Sequence, residues 1–453
     1  MRTVLILCWV LILSISKNNK LNAQESILDS YVKEGLSNNL LVTQKGLSIA
    51  QSANALAYAK RLYLPTIGFD LMYSTAVGGR SIDLPVGDML NPVYQTLNQL
   101  TQTQAFPAID NQKIRFLPHN YYDAKIRTSM PVYNTDIRNN KEIQEKKKVL
   151  SENELEIYRR ELVKEIKTAY YNYLSATAAV AIYENAIQLA TEGKRVNQKL
   201  LEAGKGLPAY VIRANAEIAE GEAKLAQGLQ QQKNALLYFN MLLNRDEHAE
   251  IRLEDEKALH LQDLLQSSTV SIVNREEIAS LATAIEIQEK VLKMNKQVSW
   301  PKLSAFLDLG SQAEGLKVNK NSSYYMVGAQ LNVPIFTSGR NRLKVEESRI
   351  AIKMAQNTMQ NMQQKINLSA EMAKNDLIAQ YKNYESAGTQ LAAAGTYQRL
   401  ILRGFQEGVN TYIETVDART QYTNAQLAYQ VAAYKVLTAQ AHLERETSSY
   451  PLQ

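Results

Sequence analysis

Glu414 and Asp417 stand three residues apart and share one face of any helix that holds them. The chemistry open to them is electrostatic. Thr411-x-x-Glu414 follows Gly408 as a capping box follows a helix stop, and acids suit a helix N-terminus. Catalysis finds no comparable arrangement. The four histidines, His119, His248, His260 and His442, form no pair at helical ligand spacing, and no P-loop, nucleophile elbow or paired glycine fingerprint is present. Gly204-Lys205-Gly206 reads as a turn between helices rather than a phosphate cradle. The sequence predicts no enzyme, cofactor or metal site.

The elements that carry these residues follow from export. Arg2 precedes an apolar run from Val4 to Ile15, and Leu21-Asn22-Ala23 ends in a small residue, so residues 1–23 read as a cleaved secretory signal. The single cysteine, Cys8, lies inside that run. A balance of 51 basic against 45 acidic residues leaves no nucleic-acid footprint. No later stretch supplies the roughly 18 apolar residues of a spanning helix, so the exported chain is either soluble or inserted as a β-barrel.

One plan is written twice, over residues 24–245 and 272–446, joined by a charged segment at 246–271 and followed by a tail at 447–453. Leu64-Pro65-Thr66-Ile67 ends a helical stretch and begins an alternating one, as Trp300-Pro301-Lys302-Leu303 does in the second copy. The alternation predicts strand pairs at about 66–77 with 121–133, and about 302–312 with 324–336. Ile67, Phe69, Leu71 and Tyr73 oppose Thr66, Gly68 and Asp70; Leu303, Ala305, Leu307 and Leu309 oppose Ser304 and Asp308, with Phe306 as the exception. A small sheet on a soluble core alternates in the same way. Nothing else in the chain is obviously built to cover this apolar face, however. Four strands cannot close around a lumen, whereas three copies supply twelve.

Pro131 and Pro334 are expected to end strands, with Asn134-Thr135-Asp136 and Thr337-Ser338-Gly339 starting helices. No proline lies between Pro131 and Pro208 or between Pro334 and Pro451, so each copy can hold one continuous helix of roughly 100 Å at about 1.5 Å per residue. Rows of sevens, Leu155, Leu162, Ala169, Ala176, Tyr183 and Val345, Ile352, Met359, Ile366, Ala373, predict coiled-coil packing. Pro65 and Pro131 stand twice as far apart as Pro301 and Pro334. The extra chain, roughly Gly78 to His119, holds Pro85, Pro92, Pro107 and Pro118 among Asn, Gln and Thr, and is expected to be an irregular surface loop, a tolerated insertion, with a cell-surface plug or receptor site as the alternative.

The junctions MPVYNTDIR and VPIFTSGRNR, the tips GKGLPAYVIRANA and GVNTYIETVDART, and the two copies of helix, strand pair, long helix and return helix together resemble the TolC family of outer-membrane efflux proteins. The resemblance implies an α+β fold with four strands per chain and a twelve-stranded outer-membrane barrel per homotrimer. A long periplasmic α-helical coiled-coil tunnel continues from it. It implies a Gram-negative outer membrane, contact with its lipid, and partners in a periplasmic adaptor and an inner-membrane transporter of the RND or ABC type. The role implied is the exit duct of a tripartite efflux pump for small molecules. A duct for type I protein secretion and a soluble exported coiled-coil scaffold stand as alternatives.

The resemblance also places candidate residues. Tip turns fall at Gly204, Pro208, Gly408 and Thr411, and barrel-to-helix junctions at Pro131, Pro334 and Gly339. Setting Gly204 beside Gly408 pairs Tyr210 with Glu414 and Arg213 with Asp417, and these four are the candidates for lining the constricted periplasmic entrance. Glu414 serves equally as a cap. The polar lock that relatives place between hairpins transfers poorly, because Ala209, Tyr210, Phe405 and Asn410 offer few charged partners.

Overall fold

The computed structural model describes residues 26–117, 119–253 and 275–452. The expected signal at 1–23, most of the 246–271 segment, Pro118 and His260 fall outside the described residues. The fold is α+β, and the chain divides into two units. One holds residues 53–145 and 287–352; the other holds the remaining described residues.

In the first unit the helices yield to strands at the proline junctions. β1 (Thr66–Ser74), β4 (Tyr121–Tyr133), β5 (Lys302–Ala313) and β6 (Ser323–Asn332) form one antiparallel sheet in the order β1-β4-β5-β6. Register brings the alternation of all four strands into phase. Phe69, Ile126, Leu309 and Tyr325 lie in one row, and Ile67, Thr128, Leu307 and Val327 in the next. In the single chain this apolar face is bare, with Phe69 67% and Tyr325 78% exposed. β1 and β6 leave two open edges.

The opposite face is polar. Arg127 binds Asp308 through two hydrogen bonds of 2.7 Å, and the Asp308 side chain is fully buried. Lys125 and Tyr324 both donate to Asp123, at 2.7 and 2.8 Å. The exceptional Phe306 belongs here: its ring lies under the Arg127 guanidinium, 5.1 Å away, and covers Gly328 on β6. A Cβ at Gly328 would meet that ring at 2.5 Å, so glycine leaves the space the aromatic fills.

Pro131 acts differently from expectation, whereas β6 does end just before Pro334. Pro131 does not end β4, which runs on to Tyr133. The register instead shifts between Pro131 and Tyr133, and this bulge accommodates the missing donor. β6 stops at Asn332, short of the expected 336: its last partner, Lys302, is the first residue of β5 after Pro301, and Pro334 lies two residues beyond Asn332. Beyond β4, the Asn134 side chain accepts from the Asp136 amide at 2.9 Å and caps α4 (Thr135–Glu202). Beyond β6, Ser338 and Gly339 turn through positive φ into α7 (Arg340–Gln406).

The excursion between β1 and β4 is not an irregular loop. It forms β2 (Ser81–Leu84), α3 (Val86–Thr101) and β3 (Gln112–Arg115), with β2 and β3 antiparallel. Pro85 stands at the N-cap of α3, and Pro92 inside it forgoes one backbone bond. Asparagine side chains, which read as loop composition, tie the helix to its return segment: Asn91 to Ile109 and Asn98 to Phe106.

The second unit is helical. α1 (Ile27–Asn38), α5 (Pro208–Leu243) and α8 (Tyr412–Thr447) lie wholly in it, and α2 (Leu40–Arg61), α4, α6 (Glu276–Lys296) and α7 contribute residues to both units. Its core gathers Tyr31 of α1, Ile166 and Tyr170 of α4, Phe239 of α5, Leu377 of α7 and Val436 of α8. Each such side chain contributes about 1.5–3 kcal/mol on burial. Burial follows the sevens, through Leu162, Ala169 and Ala176 on α4 and Ile366 on α7. α1 crosses α4 closely at Gly35, where a Cβ would stand 2.4 Å from Ile166 Cδ1.

Charged residues close the C-terminal end of this unit. Arg275 binds Glu277 and Glu446, and Arg445 binds Glu277 and Glu161. Burial pushes the Glu277 carboxyl up, but the two guanidiniums outweigh it and hold the group at about 2. The tail is tied in by Arg160 donating to the Ser448 and Tyr450 carbonyls and by the Tyr450 hydroxyl donating to Asp29.

Candidate functional site

The acids singled out at the start sit where α7 returns as α8. Gly408 turns through a φ of 80°, which glycine adopts without strain, and Gly204 does the same with 69° at the end of α4. Pro208 opens α5 and Thr411 caps α8. The two hairpin ends meet through an apolar cluster of Ala214, Tyr412 and Val416, with Tyr210 and Phe405 packed against it. Tyr210 and Tyr412 lie 5.6 Å apart by ring centroid, so Tyr210 serves the contact between hairpins.

Glu414 is held by its own turn. Its Oε2 accepts from the Thr411 amide at 2.6 Å, the Thr411 hydroxyl at 3.1 Å and Asn410 at 3.2 Å, and these donors, the Thr411 amide first, hold the carboxyl below its ordinary range. The capping box is complete. Asp417 and Arg213 are exposed, and Asp417 takes no part in the box. The four candidates therefore divide: Tyr210 packs between hairpins, Glu414 caps, and Arg213 and Asp417 are left exposed.

The strongest polar tie between the hairpins involves residues the sequence comparison passed over. Arg419 of α8 binds Glu217 of α5 through two hydrogen bonds of 2.7 Å, with the side chains only 12% and 14% exposed. It also donates to the Leu189 carbonyl of α4 at 3.2 Å. Burial opposes the Arg419 charge and Glu217 more than restores it. The Tyr412 phenol alongside is pushed up by burial and by Glu217. Matching the two tips residue for residue hides the pair, since Glu217 then falls beside Gln421 rather than Arg419. A signal was present nonetheless. Tyr412, Val416 and Arg419 form one seam row, Tyr210, Ala214 and Glu217 the other, and each ends in a charge of opposite sign.

Beside this pair lies a cavity of about 330 Å³ lined by Leu189, Val196, Leu402, Phe405 and Tyr412. The hairpin ends are thus joined, among the described residues, by this ion pair and a small aromatic cluster beside open space. Among the described residues no group of His, Cys, Asp and Glu is placed to hold a metal ion.

Residues 270–447 match the family model described as outer membrane efflux protein. No curated protein matches the chain by sequence. In fold it is similar to the Campylobacter jejuni CmeC outer membrane channel, with a TM-score of 0.74 at 15% identity over 93% of this chain and 85% of that one. It is also similar to the outer membrane protein VceC from Vibrio cholerae (0.71, 14%, 93% and 95%) and to the open state of the Neisseria gonorrhoeae MtrE outer membrane channel (0.71, 15%, 93% and 88%). The family match is confined to residues 270–447, whereas the likeness in fold to these outer membrane channels extends over nearly the whole chain.

Proposed function

Starting from a chain that carries the outer membrane efflux protein pattern over residues 270–447, we propose that it is one protomer of a homotrimeric outer-membrane channel. This channel acts as the exit duct of a tripartite efflux pump. The observation that carries the reading is the four-stranded sheet, with one continuous apolar face, one polar face and two unpaired edges. Lipid does not tolerate open edges, and three copies joined edge to edge, β1 to β6, remove all of them. The Phe69–Tyr325 face then meets lipid and the Arg127–Asp308 face lines the lumen.

In this assembly the helical unit forms the periplasmic conduit. The hairpin ends form its entrance, with Asp417 and Arg213 presented toward the passage and Glu414 set in the cap. Transport needs no bond chemistry here, because a pore selects by width and lining charge. The adaptor engages the hairpins, and the inner-membrane transporter drives small-molecule cargo through it. The test is light scattering of the detergent-solubilised mature chain, expected to give three chains per particle, followed by conductance in a planar bilayer. A monodisperse monomer in mild detergent overturns the reading.

A further inference from the structure

The excursion between β1 and β4 is bound to itself by amide side chains as well as by the Tyr94–Phe106 ring contact at 5.7 Å. Its polar side faces its own chain: Asn91 exchanges hydrogen bonds of 2.9 Å with both backbone groups of Ile109, and Asn98 does the same with Phe106 at 2.8 and 3.1 Å. Asn111 accepts from the Asp88 amide and donates to the Asp88 carboxylate. The opposite side of α3 presents Met89, Val93, Thr96 and Leu100, spaced four, three and four, within an arc of roughly 60° at about 100° per residue. Met89 is 70% exposed, Val93 51% and Leu100 77%. The Thr96 hydroxyl is satisfied by the Pro92 carbonyl at 2.9 Å, so the stripe presents no unmet hydrogen bond there. A four-three seam without charge is the pattern of a helix that packs on another helix.

Continuity with the protomer seam indicates which helix. β1 is an edge strand, and the chain leaves it at Ser74 to enter the excursion, at the end of the sheet opposite to that from which α4 departs. In the twelve-stranded barrel each excursion is therefore rooted beside the joint between two copies, at the outer rim. Twelve strands about 4.8 Å apart and tilted about 40° enclose a wall about 24 Å across. The 16 residues of α3 span roughly 24 Å. Helices rooted around that rim are within reach of one another across the mouth.

We propose that the α3 stripes of three copies pack on one another at the three-fold axis and form a lid over the outer mouth of the channel. The partner is the second and third copy of this chain, and the proposal rests on the trimer reading. Packing about the axis sets each stripe residue beside its own equivalents, and an uncharged stripe meets itself without repulsion.

The only cysteine, Cys8, lies within the expected signal, so single cysteines in the mature chain are clean probes. In the purified trimer, Val93→Cys treated with a short bismaleimide is expected to yield covalent dimers. Gln95→Cys, exposed on α3 away from the stripe, should stay largely monomeric on a denaturing gel. Linkage of Val93→Cys no greater than that of Gln95→Cys, in a preparation that scatters as a trimer, overturns the lid; loss of the trimer overturns the channel reading instead. The triple variant Met89→Asp, Val93→Asp, Leu100→Asp is expected to raise single-channel conductance at least about twofold, and unchanged conductance overturns the lid. Quenching of a dye on Val93→Cys by brominated lipid overturns it in favour of a membrane contact. Free reaction of Val93→Cys with a water-soluble maleimide polymer overturns it in favour of a surface open to another partner.

Discussion

Arg419→Ala removes the cation that bridges α8 to Glu217 of α5 and to the Leu189 carbonyl of α4. Removing one partner of a buried pair costs about 3–5 kcal/mol, and a pair with side chains 12% and 14% exposed belongs near the lower end. About 3 kcal/mol corresponds to roughly a hundredfold rise in the opening equilibrium of the hairpin ends. Hydrogen exchange of the Val416 to Arg419 amides measures that equilibrium directly, and protection there should fall by about that factor. The core around Ile166 and Val436 should be unchanged. Glu217→Gln keeps hydrogen bonding without charge and should fall between wild type and Arg419→Ala. The double variant Arg419→Met, Glu217→Met leaves no orphaned charge and should recover much of the lost protection. If Arg419→Ala leaves exchange at the tip unaltered, or the double variant is worse than either single one, the pair is not what holds the hairpins together.

Leu71→Arg, on the face assigned to lipid, should cost on the order of 2–4 kcal/mol and lower the yield of assembled trimer, while Asp70→Arg on the lumen face is tolerated; equal yields by native gel remove this strand from the membrane. Asp417→Ala should reduce cation selectivity and weaken block by multivalent cations in bilayer recordings without altering trimer stability, and unchanged electrical behaviour leaves acids at this tip with capping alone. Because the Glu277 carboxyl is held at about 2 when folded, against an ordinary value near 4.5, its contribution is complete above pH about 4.5 and is lost as pH falls toward 2. Glu277→Gln should therefore destabilise the helical unit by at most about 3 kcal/mol at pH 7, with the difference from wild type shrinking through that window in acid unfolding curves.

The strands and long helices were legible because each signal is local. Period two from Ile67 to Tyr73 and period seven from Leu155 to Tyr183 are read from one segment without knowing its neighbours. What escaped depended on which segment lies opposite. Phe306 broke the alternation on paper because Gly328, far along the chain, makes its space. Pro131 looked like a strand end because the bulge that absorbs it requires β5 as partner. Asn91 and Asn98 read as loop because the backbone groups they bind lie 18 and 8 residues further on, beyond the helix itself. Glu217 and Arg419 went unseen because likeness between the two copies pairs equivalent positions, and this contact joins non-equivalent ones.

The helical unit is held very unevenly, and the unevenness suits the proposed conduit if its hairpin end is the part that opens. Around Glu277 two arginines bind three carboxylates, the tail is tied down by Arg160 and Tyr450, and the large aromatic core belongs to the same unit. At the hairpin ends a single bidentate pair and a cluster built on Ala214, Tyr412 and Val416 join α5 to α8, with a cavity beside them. Local opening follows the weakest set of contacts, so the tips are expected to open before the main core does. Glu414 keeps the first turn of α8 capped during such movement, since its donors are all within the turn from Asn410 to Thr411 and travel with it. The tip can then move as a folded hairpin, hinged on the loss of one ion pair rather than on unwinding of the helix.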